Sequence, residues 1–181
     1  MADQRAWTRH WMLYLLMPAL AAVLLICGYI YASRPATTLI IVRHAEKSAA
    51  PPDNPPLSAE GEARALTLMQ VVEGADVKAV YASQFPRTQQ TVQPLAERLR
   101  LPVTNVNADD VEGLVEQVLT NHAGAVVLIA SHSNKIPLII EALGGGPIPP
   151  IAETEYDQLY IVTVPPLGKT RVIQLKYGKT S

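Results

Sequence analysis

Apolar residues fall into three kinds of run along this chain. The first is long: Trp11 to Ala32 carries no charge, and its length is near the ~20 residues that span a bilayer as a helix. The second kind is short, continuous and rich in β-branched residues. Leu39 to Val42, Ala79 to Ser83, Val103 to Val106, Ala125 to Ala130, Leu159 to Val164 and Arg171 to Lys176 read in this way as strands. Runs without alternation suit strands covered on both faces, as in parallel sheets.

The third kind recurs at helical spacing. Ala65, Leu66, Met69 and Val72 make one apolar face behind a cap at Ser58, with Glu60 and Glu62 favourable to the helix dipole. Val92, Leu95, Ala96 and Leu99 make a second behind Arg87, where Pro94 predicts a kink or a late start. Val111, Leu114, Val115, Val118 and Leu119 form a third stripe, capped by Asp109 or Asp110. A fourth helix follows Asn134 as cap, with Pro137 in its first turn, and stops at Gly144 to Gly146. Strands alternating with helices predict a three-layer α/β/α sandwich with a mainly parallel central sheet. The expected fold class is that sandwich preceded by a single transmembrane helix.

The expected organisation is a flank over 1–10, a transmembrane helix or signal anchor over 11–32, a linker over 33–38 and a folded domain over 39–181. Trp7, Trp11, Tyr14, Tyr29 and Tyr31 sit towards the ends of the long run, as interfacial aromatics do. Arg5 and Arg9 precede it and Arg34 follows, which predicts a single-pass protein with its domain outside the cytoplasm, on the periplasmic side if bacterial. The alternative is secretion after signal cleavage, although Ile30-Tyr31-Ala32 makes a poor cleavage site.

Composition narrows the reading. The 181 residues suggest one domain plus a tail. A net charge of -1 gives no bulk attraction for nucleic acid, so any anion recognition must be local. The lone Cys27 excludes an intrachain disulfide framework and a cysteine-based metal site. The membrane, through 11–32, is an expected partner, and nothing in the sequence speaks to oligomeric state.

The chemistry gathers where strands end. Val42 is followed by Arg43-His44, and Ala130 by Ser131-His132-Ser133-Asn134. A third strand ends in Ser83-Gln84-Phe85-Pro86-Arg87-Thr88. Open α/β sheets bind ligands at the carboxyl ends of their strands. If these strands are parallel neighbours, two histidines and two arginines converge. Guanidinium forks suit phosphoryl oxygens, and a helix start at Arg87 adds backbone N–H groups.

Arg43-His44-Ala45-Glu46, Leu57-Ser58-Ala59-Glu60-Gly61, Ser83-Gln84-Phe85-Pro86-Arg87-Thr88 and Ser131-His132-Ser133-Asn134 resemble, in order and spacing, the histidine phosphatase (phosphoglycerate-mutase-like) superfamily in its small-phosphatase branch. The resemblance covers Leu39 to the carboxyl end. It implies a metal-independent phosphoric monoester hydrolase that needs no cofactor and works through a phosphohistidine on His44. Arg43, Arg87 and His132 would clamp the phosphoryl oxygens, with His132 charged. His44 must be neutral to attack; nearby guanidinium groups would lower its pKa, and its other ring nitrogen would donate to a backbone carbonyl.

Ala45 and Ser131 stand where the family often has glycine, and both are small enough to allow close approach. The mutase branch's tyrosine-glycine motif is missing, so the acid that protonates the leaving group has to come from elsewhere. The candidates are Asp109, which follows the third strand, then Glu46 and Asp110. Ser83, Gln84 and Asn134 are candidate substrate contacts. The leading reading is a membrane-anchored phosphatase acting on a phosphorylated substrate of unspecified class. The alternatives are a phosphohistidine-protein phosphatase and a non-catalytic phosphate-binding interaction module.

Overall fold

The computed structural model describes the backbone of residues 3–180 and the side chains of 17, 18 and 20–180. The chain divides into two units, Met1–Arg34 and Pro35–Ser181. The first holds one helix, α1 (Asp3–Ala32), with Pro18 inside it. Among the described residues no helix is long and apolar enough to cross a membrane. This overturns the transmembrane helix expected over 11–32. The single-pass placement, its extracytoplasmic domain and the membrane as a partner fall with it. Tyr29 and Tyr31 are exposed; the side chains of Trp7, Trp11, Tyr14, Arg5 and Arg9 lie outside those described.

The second unit runs β1 (Thr37–Arg43), α2 (Ala59–Val72), β2 (Val77–Ser83), α3 (Pro86–Leu99), β3 (Val103–Val106), α4 (Val111–Asn121), β4 (Val126–Ser131), α5 (Ile136–Ala142), β5 (Gln158–Val164) and β6 (Arg171–Lys176). Its six strands form one mixed sheet in the order β3-β2-β4-β1-β5-β6. β4 pairs in parallel with both β1 and β2, and β3 joins β2 in the same sense. β5 and β6 close the sheet as antiparallel strands.

Alternation of side chains along each strand explains why β1 is apolar at every position from Leu39 to Val42. Leu39 and Ile41 pack with Tyr81, Ile129 and the apolar faces of α4 and α5. Ile40 and Val42 point the other way, against Leu68 and Val72 of α2 and Val92, Leu95 and Ala96 of α3. Both faces are therefore covered by helices, and removing a strand side chain on either face would open a cavity costing about 2–5 kcal/mol.

Two helix starts differ in detail from the sequence expectation, and a third falls on one of its two expected caps. α3 continues through Pro94 from a start at Pro86, which occupies the first turn where its missing N–H costs nothing. Asp110 is the residue that caps α4, accepting from the Gly113 amide at 3.0 Å. α5 begins after Lys135, one residue beyond Asn134, so Asn134 is not its cap.

Candidate active site

β1, β4 and β2 are neighbours and parallel, so their carboxyl ends open on one side of the sheet. This brings Arg43, His44, Arg87 and His132 to the wall of one cavity of about 370 Å³, together with Lys47, Phe85, Asp109, Ser133, Asn134, Lys135 and Glu153. The register places Arg43 directly opposite Ser131. The His44 amide donates to the Ser131 carbonyl at 2.9 Å, extending the β1–β4 pairing to the residue before His132.

The loop after β1 is pinned from α2 and α3. The Ala45 amide donates to Thr91 Oγ1 at 2.9 Å, and that hydroxyl donates to the Arg87 carbonyl at 2.7 Å. Ser58 caps α2 by accepting from the Gly61 amide, while its own amide donates to the Glu46 carbonyl. Gly61 lies so close to Glu46 that a Cβ would sit 2.2 Å from the Glu46 carbonyl oxygen. The Leu57-to-Gly61 motif thus buttresses the backbone two residues after His44. The Glu46 side chain faces away from the cavity and takes three hydrogen bonds of 2.7–3.0 Å from the buried Arg64. Arg64 also donates to the carbonyls of Tyr177 and Lys179, tying this loop to the carboxyl end.

His44 is 4% exposed and stands with its ring centroid 5.4 Å from that of His132. Its Nδ1 lies 2.8 Å from the Ala45 carbonyl, which can only accept, so Nδ1 carries the proton and Nε2 keeps a lone pair. Burial pushes the imidazole down to about 3 against the opposing pull of that hydrogen bond, and Arg43, His132 and Arg87 push further in the same direction. His44 is therefore a neutral base at neutral pH, through burial more than through the guanidinium groups expected to do it.

His132 is held by a hydroxyl chain. Thr88 Oγ1 approaches the Phe85 carbonyl at 2.7 Å, a contact that needs its single proton. Ser83 Oγ, 2.8 Å from Thr88 Oγ1, must then donate to it and accept from His132 Nε2 at 2.9 Å. Burial first, then Arg87 and Arg43, bring His132 down to about 4, so it is neutral in the free site rather than charged. A second proton would add to Nδ1 once an anion offset the two arginines.

The arginines differ in their tethering. Arg43 is 2% exposed and spends its Nη1 edge on the carbonyls of Ala152 and Glu155, at 2.9 and 3.0 Å. Its Nη2 donates to Glu153 at 2.9 Å, and Tyr156 stacks on its face 4.2 Å from Cζ. Arg87 lies over the Phe85 ring at 4.4 Å. Burial and then the Arg43 cation disfavour its charge. Both residues bury an Nε with no hydrogen-bond partner. Buried guanidinium N–H groups left unpaired are costly, and the two arginines that carry them both line the cavity, which suits an anion with several acceptor oxygens.

The other expected residues divide. Asp109 lines the cavity but is exposed and bridged to Lys135 at 2.7 Å. Asn134 lines it as well. Ser83 serves His132, and Gln84 accepts from the Ala108 amide at 2.8 Å, steadying the approach to Asp109. Nothing in the sequence marks Glu153, Lys135 or Tyr156, and Ser133 enters only as part of the Ser131-to-Asn134 motif. Glu153 and Tyr156 lie in an irregular loop between α5 and β5, far along the chain from Arg43 and without periodicity to mark them. Among the described residues no cluster of three or more histidine, cysteine or carboxylate groups could hold a metal ion.

Residues 39–108 match the family model of the histidine phosphatase superfamily (branch 1), a segment that carries Arg43, His44 and Arg87. No curated protein matches. Among solved structures, the protein histidine phosphatase SixA complexed with tungstate aligns with a TM-score of 0.64 at 24% identity, over 77% of this chain and 96% of that one. Mycobacterial hydrolase 2 aligns at 0.61 and 13% identity, over 81% and 92%. Mycobacterial glucosyl-3-phosphoglycerate phosphatase aligns at 0.57 and 12% identity, over 80% and 100%. These likenesses show a shared fold. By the matched segment and by that fold, this chain resembles the histidine phosphatase superfamily in its small-phosphatase branch.

Proposed function

We propose that this protein is a phosphatase that transfers a phosphoryl group from its substrate to His44 Nε2 and then to water. The observation that carries the reading is the pairing of a neutral, buried His44, its Nε2 lone pair free, with two arginines whose buried Nε groups lack partners. Phosphoryl transfer asks the protein chiefly for in-line positioning and for charge stabilisation on the equatorial oxygens. His44 supplies the nucleophile at a fixed tautomer. Arg43 and Arg87 meet the oxygens, and His132 gains its second proton as the anion enters. No metal is required by this scheme.

The site favours small or protruding phosphoryl groups, because its cavity of about 370 Å³ is walled by strand-end loops. A phosphohistidine on another protein is a second reading, supported by the likeness to the SixA structure. The full-length chain is expected to release phosphate from p-nitrophenyl phosphate with a chelator present, and His44→Ala to lower this at least about 10³-fold, as loss of a nucleophile does in other hydrolases. Chelator-sensitive activity, or activity that survives the substitution, would refute the scheme.

A further inference from the structure

The phosphoryl scheme leaves the leaving group without a proton donor, and the three candidates read from sequence are badly placed for it. Asp110 caps α4 and does not line the cavity. Glu46 faces Arg64 and does not line the cavity. Asp109 is held at the rim by Lys135. Glu153, by contrast, reaches the phosphoryl clamp itself. Its Oε2 accepts from Arg43 Nη2 at 2.9 Å and its Oε1 accepts from Ser133 Oγ at 2.6 Å. The rest of the side chain is exposed, so the carboxyl group can adjust without disturbing the core.

Arg43's donors show what this position means. A guanidinium offers five N–H groups. The Nη1 pair is spent on the Ala152 and Glu155 carbonyls, which hold the loop bearing Glu153. With Nε buried and unpartnered and Nη2 already shared with Glu153, the Nε–Nη2 edge is the one left for an entering anion to engage. A phosphoryl oxygen received on that edge would sit beside the Glu153 carboxylate. Two negative groups on one edge repel, and the weaker acid of such a pair takes up a proton.

We propose that Glu153 is the proton donor to the leaving group and the proton acceptor from water. The assignment rests on the phosphatase reading above. As His44 Nε2 bonds to phosphorus, the bond from phosphorus to the leaving oxygen breaks. Its electron pair stays on that oxygen, which takes the Glu153 proton. In the second half, the Glu153 carboxylate removes a proton from water while the water oxygen bonds to phosphorus. The P–N bond then breaks, its pair returns to Nε2, and Glu153 is protonated again. The groups facing Glu153 are Arg43 at the end of β1, His44 just after it, Lys47 in the loop beyond, Arg87 at the start of α3 and Ser133 after β4. In the free site the Ser133 hydrogen bond first, then Arg43 and Lys47, hold the carboxyl below its usual range. It is therefore ionised until an anion arrives.

Two measurements on the full chain test this. First, kcat/KM of Glu153→Gln is compared with wild type on p-nitrophenyl phosphate and on an alkyl phosphate. An alkoxide leaves poorly without a proton, whereas p-nitrophenolate needs little help. General acid catalysis is worth roughly 10²–10⁴-fold, so the alkyl ester should lose about 100-fold or more and the aryl ester at least tenfold less than that. Equal losses on both, or none on either, overturn the assignment. Second, calorimetry with sulfate, a dianion that does not titrate near neutrality, is run in buffers of different ionisation enthalpy. Wild type should take up a proton on binding that Glu153→Gln does not. Uptake unchanged in the variant, or none in wild type, overturns the proposal even if no substrate is turned over. Failure of wild type to hydrolyse either ester would instead count against the phosphatase reading.

Discussion

His44 and His132 share one cavity and one cause for their depressed basicity, which is burial. That has a consequence for stability as well as chemistry. An unfolded histidine titrates near 6.5, whereas these titrate at about 3 and about 4 when folded. Below pH 6.5 the unfolded chain therefore binds protons that the folded chain refuses. The stabilisation is full above that value and is lost as pH falls towards the folded values. The melting temperature is expected to fall between pH 6.5 and 5, above the range in which carboxylates titrate. His132→Gln should flatten that slope, and parallel profiles for the two proteins would contradict it. At the same scale, Glu46 receives an architectural explanation. Its partner Arg64 is buried, and an unpaired buried guanidinium would be expensive.

Among elements, α2 shows how a surface-looking motif serves the site. Its first turn carries no residue of the cavity wall, yet it fixes the backbone just beyond His44. Gly61 is required by approach, not by φ. Any Cβ there collides with the Glu46 carbonyl. Gly61→Ala should cost about 1–3 kcal/mol in urea unfolding, as overpacking does elsewhere, and should lower turnover by displacing the His44 loop. Stability and turnover both unchanged would show that the contact is slack. The sequence revealed this motif but not its mechanics, because the approach of a glycine to a carbonyl is a tertiary fact. The central strands β1, β2 and β4 were easier to read, since burial on both faces leaves continuous apolar runs. Helix starts were harder. Pro94 predicted a kink or a late start, but α3 starts at Pro86 and runs on through Pro94.

For the molecule as a whole, the order β2-β4-β1 is what turns three separate strand ends into one site. Polar residues at the ends of apolar runs made His44, Arg87 and His132 visible in the sequence. Glu153 was invisible because its loop is joined to Arg43 only through long-range hydrogen bonds. The amino-terminal run misled in the opposite sense. Its hydropathy suggested a membrane span, and among the described residues no helix is long and apolar enough to be one. The central claim is that His44 carries the phosphoryl group between substrate and water. Brief mixing with a ³²P-labelled phosphomonoester, followed by quenching in denaturant, tests it most directly. Wild type should hold a label that survives alkali, is lost in acid and maps to the peptide containing His44, and His44→Ala should hold none. An acid-stable label, or steady turnover by His44→Ala, would contradict the account.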